Sequence, residues 1–199
     1  MYAAVLTINI VEIQARLRDI QAELVSSYTV YSQVFDIKSG KTFVPPIYRS
    51  IQFSKLFQTL TESTAAGKSL ASQHMNLVIT KSQNQSRICL SSGKDLSAQM
   101  NIHLIPWQHE KMVEVLLAGG MEYIRSYEQT VKIYFYKELN TVFSVFQPKG
   151  IPAFLYVSTD KEESIIQSLA MLNISMDKTV NYTLKDIYRY YNIPIWLAV

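Results

Sequence analysis

The stretch T-V-K-I-Y-F-Y-K at residues 130 to 137 constrains the fold more than any other part of the chain. Read as a strand, it puts Val131, Ile133 and Phe135 on one side and Lys132, Tyr134 and Tyr136 on the other, because successive side chains of an extended chain point to opposite faces. Its two successors behave alike. In T-V-F-S-V-F-Q, Val142 and Phe146 oppose Phe143 and Val145, and in A-F-L-Y-V-S, Leu155 and Val157 oppose Phe154 and Tyr156. An antiparallel sheet with one wet face alternates apolar and polar residues instead. Burying a large apolar side chain contributes roughly 1.5–3 kcal/mol, so three strands that are apolar on both faces need a solid cover on each. The second cover is another part of the chain, a neighbouring subunit, or nucleic-acid bases stacked on the tyrosines.

The N-terminal region supplies one such cover. Ile10, Ile13, Leu17, Ile20 and Leu24 recur at three- and four-residue steps, continue at Tyr31 and Val34, and are separated by charged and amide side chains. That spacing predicts an amphipathic helix with a seam of about three and a half heptads, broken at Ser27, which can lie on the chain's own sheet or pair with another helix. A second helix is expected over residues 50 to 62, after the extended segment K-T-F-V-P-P-I-Y. Residues 75 to 105 then read as three strands joined by turn-forming segments, Pro106 opens a helix, and the strands described above follow. T-D-K-E at 159 to 162 and Thr183 mark two further helix starts. The expected fold is therefore α+β, with amphipathic N-terminal helices followed by antiparallel strand groups in the order βββ-α-βββ-α-α. The expected division is an N-terminal helical segment with a Pro-Pro linker (1–62) and an α+β domain (63–199), together one compact unit.

Composition excludes several classes. With 199 residues, 48% hydrophobic and 18% charged, the chain can bury a core and is not disordered. Its single cysteine, Cys89, permits no intrachain disulfide, so a reducing compartment is the default. The N-terminus lacks the basic start of a signal peptide, and no apolar run approaches the roughly 18 residues needed to span a bilayer. A cytoplasmic location or a place within a virion is expected. Between residues 38 and 106 eight basic side chains face two acidic ones, a surplus of six, which leaves the rest of a chain of net charge +3 at minus three. This basic middle suits nucleic acid or an anionic membrane surface, or is a solvated face of dispersed lysines.

Motifs for chemistry are sparse. T-A-A-G-K-S at 64 to 69 ends like a phosphate-binding loop, but Glu62 stands where the loop needs glycine and a helix rather than a strand precedes it. His109-Glu110 starts like a zinc-protease helix, yet Val113 stands where the second histidine belongs. No catalytic constellation, cofactor site or metal site emerges, and the reading is of a protein that is not an enzyme. The most specific short motif is V-P-P-I-Y, in which Pro45, Pro46 and Tyr48 form Pro-Pro-X-Tyr, a WW-domain ligand pattern. It resembles the late-domain motif of matrix proteins of enveloped viruses, which implies a host ligase partner; a buried connection is the plain alternative.

These features lead to the expectation of a non-enzymatic structural protein that self-associates or docks into a larger complex, such as a virion or matrix component. Its contacts would be the Ile10, Ile13, Leu17, Ile20, Leu24 seam, the Pro45 to Tyr48 motif, and Trp196 and Leu197 of the apolar C-terminal tail. The alternative is binding of nucleic acid or an anionic surface through the basic segment 38–106, with Lys132, Tyr134, Tyr136 and Lys137 as a stacking set.

Overall fold

The computed structural model describes residues 1–45, 51–83, 85–92 and 97–192. Eight strands and five α-helices alternate along it: β1 (Tyr2–Val5), α1 (Ile10–Asp19), β2 (Glu23–Ile37), α2 (Ile51–Thr64), β3 (Met75–Lys81), β4 (Ser86–Ser92), β5 (Ser97–Leu104), α3 (Pro106–Ala118), β6 (Met121–Tyr136), β7 (Thr141–Pro148), β8 (Phe154–Ser158), α4 (Glu162–Met171) and α5 (Leu184–Tyr190). The strands form one sheet in the order β1-β8-β7-β6-β2-β3-β4-β5. The pairs β1–β8, β8–β7, β7–β6, β2–β3, β3–β4 and β4–β5 are all antiparallel.

This corrects the expected fold class. Helices do not precede the strands: β1 comes first, and the heptad-like seam ends with α1. Asn9 caps that helix by accepting from the backbone amides of Val11 and Glu12, but Gln21 adopts φ +60° and the chain leaves helical geometry there. From Glu23 onward it runs as a 15-residue strand, so Leu24, Tyr31 and Val34 lie on β2. The segment is rich in Val, Tyr, Thr, Phe and Ile, whose branched and aromatic side chains suit a pleated surface better than a helix.

The chain divides into two compact units, residues 1–30 with the chain from 128 onward, and residues 31–127. In the first, one sheet face carries Tyr134, Tyr136, Phe143, Val145, Leu155 and Val157, and packs against Ile13 and Leu17 of α1 and Ile165 and Leu169 of α4. The opposite face carries Val131, Phe146 and Phe154, all buried. Phe146 and Phe154 stack with centroids 4.8 Å apart, and Tyr188 of α5 meets Phe154 edge-on at 6.1 Å. Thr183 caps α5 by accepting from the Asp186 amide, which places the helix start where this packing needs it.

In the second unit, Phe53, Leu56, Phe57 and Leu60 of α2 and Met112, Val115 and Leu116 of α3 pack with Phe35, Leu77, Ile79, Ile88 and Leu90 of the sheet. Gly119, just after α3, is required by close approach, since a Cβ there would meet the Phe43 ring at 2.2 Å. The segment ending like a phosphate loop closes α2 instead: Thr64 is the last helical residue, and the Gly67 carbonyl accepts from the Gly40 amide at 2.7 Å.

Candidate anion-binding face

In β4 the side chains of Ile88 and Leu90 enter the core of the second unit, so alternation puts Arg87 and Cys89 on the other face. Strand register then assembles a cross-strand row. Ser32 of β2 lies opposite Thr80 of β3, Thr80 opposite Arg87 of β4, and Arg87 opposite His103 of β5. With strands about 4.8 Å apart, the row spans about 14 Å. The neighbouring row, Val34, Val78, Cys89 and Asn101, is apolar on its β2 and β3 side.

The row is polar and largely dehydrated. Ser32 is fully buried and Thr80 is 6% exposed, while Arg87 is half-buried and His103 exposed. The Ser32 hydroxyl donates to Thr80 Oγ1 at 3.3 Å. Among the described residues no acceptor takes the proton of Thr80 Oγ1, and no carboxylate lies within ion-pair distance of Arg87. Burial pushes the Arg87 guanidinium below its ordinary value, with the Cys89 sulfur opposing; burial raises the Cys89 thiol, with Arg87 opposing. Arginine keeps its charge under such shifts. A partly desolvated cation without a counter-ion is unfavourable on its own, and its planar fork matches phosphate or carboxylate in two parallel hydrogen bonds. The arrangement presents a fixed positive charge, a hydroxyl donor and a titratable imidazole along one line.

On the other face of β4, Ser86 and His109 form a second polar pair, with Ser86 Oγ 2.7 Å from His109 Nδ1. They are 2% and 7% exposed, and so are closed to a substrate as nucleophile and base. Among the described residues no group of three or more His, Cys, Asp or Glu side chains could hold a metal ion, and no helix is long and apolar enough to cross a membrane.

The sequence-predicted contacts are dispersed. Ile13 and Leu17 are buried inside the first unit, Ile20 packs at the edge of the same core, and Ile10 is half-buried, so the seam is spent within the chain. Leu24 is 50% exposed but sits on β2, out of line with that seam. Pro45 is exposed, whereas Pro46, Tyr48, Trp196 and Leu197 lie outside the described residues. The stacking set fails as a set: Tyr134 and Tyr136 are 6% and 7% exposed inside the core, and only Lys132 and Lys137 retain access to solvent. Arg87 and Thr80 were not singled out, because one arginine alternating with apolar residues reads as a solvated strand face. The signal lay in the phase of the three strands: Thr80, Arg87 and His103 each fall opposite an apolar set, Ile79, Ile88 and Ile102.

No family model matches this sequence, and no curated protein matches it significantly. Among solved structures the chain is similar to the PH1819 protein of Pyrococcus horikoshii (11% identity, 92% of each chain covered, TM-score 0.47). It is also similar to HpAC1 of Hippeastrum, named for adenylyl cyclase and described as having a dominant triphosphatase activity (11% identity, 96% of this chain and 94% of that one, TM-score 0.49). A third is the inorganic triphosphatase NE1496 (11% identity, 82% of this chain and 78% of that one, TM-score 0.41). At these scores the likeness carries none of their chemistry to this chain.

The expectation of a non-enzymatic assembly or virion component, with nucleic-acid or anionic-surface binding as its alternative, is corrected. Its physical premise was that a solid cover lies over the second face of β6–β8, and at Phe154 the same chain supplies it, with Tyr188 and Tyr191. The neighbours with a stated activity bear enzyme names, against the reading "not an enzyme", which is not carried further.

Proposed function

We propose that this chain binds a small phosphate-bearing ligand on the face of β2–β5 that carries Ser32, Thr80, Arg87 and His103. The half-buried Arg87, with no carboxylate partner among the described residues, carries the reading. A phosphate oxygen pair accepts from the guanidinium fork, with the buried Thr80 hydroxyl behind it in the same row. His103, across from Arg87 on the edge strand, places an imidazole beside the ligand. The phosphate chemistry in the neighbours' names points the same way and supplies no part of the argument.

Titration calorimetry of the whole chain with inorganic phosphate, pyrophosphate and tripolyphosphate tests this. Saturable binding that weakens with added sodium chloride is expected, with a 10- to 100-fold loss in Arg87→Ala, the size of one charge-assisted contact of roughly 1.5–3 kcal/mol. An unchanged circular dichroism spectrum shows that the variant is folded. Absence of saturable heat with all three anions, or equal affinity in the variant, removes the proposal. Phosphate release, followed in the same samples with magnesium present, determines whether binding leads to hydrolysis.

A further inference from the structure

The Ser86–His109 contact lies one residue from Arg87, on the opposite side of the same strand. Ser86 Oγ donates its only proton to the Thr80 carbonyl at 3.0 Å, and therefore His109 Nδ1, 2.7 Å away, is the donor in the Ser86–His109 bond. This network fixes the neutral tautomer, with the lone pair on Nε2. One serine thus joins three elements: α3 through His109, β4 through its own backbone, and β3 through the carbonyl of Thr80. Thr80 and Arg87, the two residues that this junction fixes in register, are those that form the centre of the proposed anion row.

We infer that the buried His109 is a proton-sensitive latch, which holds α3 on β3–β4 through Ser86 while the imidazole is neutral and, because a charge is costly at this site, loosens α3 and the anion-binding face when it takes up a proton. The inference rests on the phosphate reading for its effect on binding, and on the geometry alone for its effect on α3. A second proton has to go to Nε2, creating an imidazolium at a site only 7% exposed. The charged groups around it do not offset that cost. Lys81 of β3 opposes protonation. Glu110 of α3 favours it, but lies 3.5 Å from Lys81 in an exposed pair. β5 presents Met100, Ile102 and Leu104 on this side, while Arg87 and His103 occupy the other face. Lys111 and Glu114 of α3 are exposed and pair with each other, and on α2 Lys55 and Glu62 are exposed. Burial first, and Lys81 second, hold His109 below its ordinary value, with Glu110 opposing.

The direction follows from linkage. A histidine whose folded pKa is depressed contributes stability that is complete above its unfolded value of about 6.5 and is lost as pH falls below it, each unit of depression weakening the folding equilibrium up to tenfold. The face that binds anions should then lose affinity on acidification, which gives the test its sign.

Three measurements on the whole chain decide it. NMR titration of the wild-type imidazoles should show His109 taking up its proton below the ordinary histidine range; titration of His109 at or above its ordinary value overturns the latch. Urea unfolding at pH 7.5 and 5.0 should show a stability loss on acidification that His109→Gln, which keeps an N–H donor, lacks; equal pH dependence in both proteins overturns the latch, as does its absence from the wild type. Sulfate, whose charge is constant over this window, should bind the wild type at least fivefold more weakly at pH 5.0 and bind His109→Gln about equally at both. Wild-type affinity that is unchanged or higher at pH 5.0 overturns the coupling to the face. Should sulfate, phosphate and tripolyphosphate fail to bind at either pH, the phosphate reading and the coupling fall together, while the first two measurements still pass or fail the latch at α3.

Discussion

The two compact units use the same device, a run of three consecutive antiparallel strands, and finish its second face in opposite ways. On β6–β8 that face is aliphatic and aromatic: Val131, Phe146 and Phe154 are buried, and α5 lays Tyr188 against Phe154. On β3–β5, with β2 alongside, it is Ser32, Thr80, Arg87 and His103, with no carboxylate to match the guanidinium among the described residues. Apolar packing closes the first at Phe154 within the chain. The second holds a charge that no carboxylate among the described residues matches, and the proposed ligand would match it. Stability and binding therefore separate by region, and mutations can break or sharpen that separation.

The largest expected effect is in the first unit. Phe154→Ala removes a fully buried ring that meets Phe146, Tyr188 and Tyr191, and should cost about 3–5 kcal/mol in urea unfolding while leaving anion affinity in the folded protein unchanged. A loss below about 1 kcal/mol would show that this face is not a packed core. In the other unit, Gly119→Ala drives a methyl group into the Phe43 ring and should cost about 1–3 kcal/mol, again visible as a lower urea midpoint.

Of the same size as that of Gly119→Ala is the effect of Tyr188→Phe. The phenol donates to Gln129 Oε1 at 2.7 Å within a buried setting that raises it far above its usual range, so its removal leaves an acceptor unpaired and should cost about 1–3 kcal/mol. Tyr188 stays protonated throughout the ordinary pH range, so this loss should be the same at pH 6 and pH 9. Smallest for stability, and sharpest for the comparison, is Arg87→Leu. It removes a half-buried cation with no carboxylate partner among the described residues and should leave the unfolding midpoint unchanged or slightly raised while weakening phosphate binding 10- to 100-fold. A marked destabilisation would mean that Arg87 serves the fold.

Part of this was legible in the sequence. The strands at 75–81, 86–92, 131–136 and 141–148 carry two-residue alternation or two-sided apolar runs between turn formers, and the polar cap at Thr183 marks α5. Two strands at the N-terminal end were hidden for different reasons. Tyr2–Val5 is short and half alanine, so it has no period to read, and it is held at the sheet edge by long-range pairing with β8. Glu23–Ile37 continued the spacing of α1 by coincidence at Leu24, Tyr31 and Val34, and its β-branched content was the better guide. The need for a cover over Phe154 was readable from alternation, but its supplier, a seven-residue helix some thirty positions later, was not. The anion row was beyond local reading, because Ser32, Thr80, Arg87 and His103 come from four strands and meet only through register.

The central claim is that Arg87 meets an anion from outside the chain. Its most direct measurement follows the arginine side-chain Nε–H signals of the whole protein, assigned by Arg87→Lys, during titration with tripolyphosphate. The account predicts that the Arg87 signal shifts and saturates, together with the signals of Thr80 and His103, while signals from α5 stay in place. An Arg87 signal that does not move as tripolyphosphate is added would contradict it.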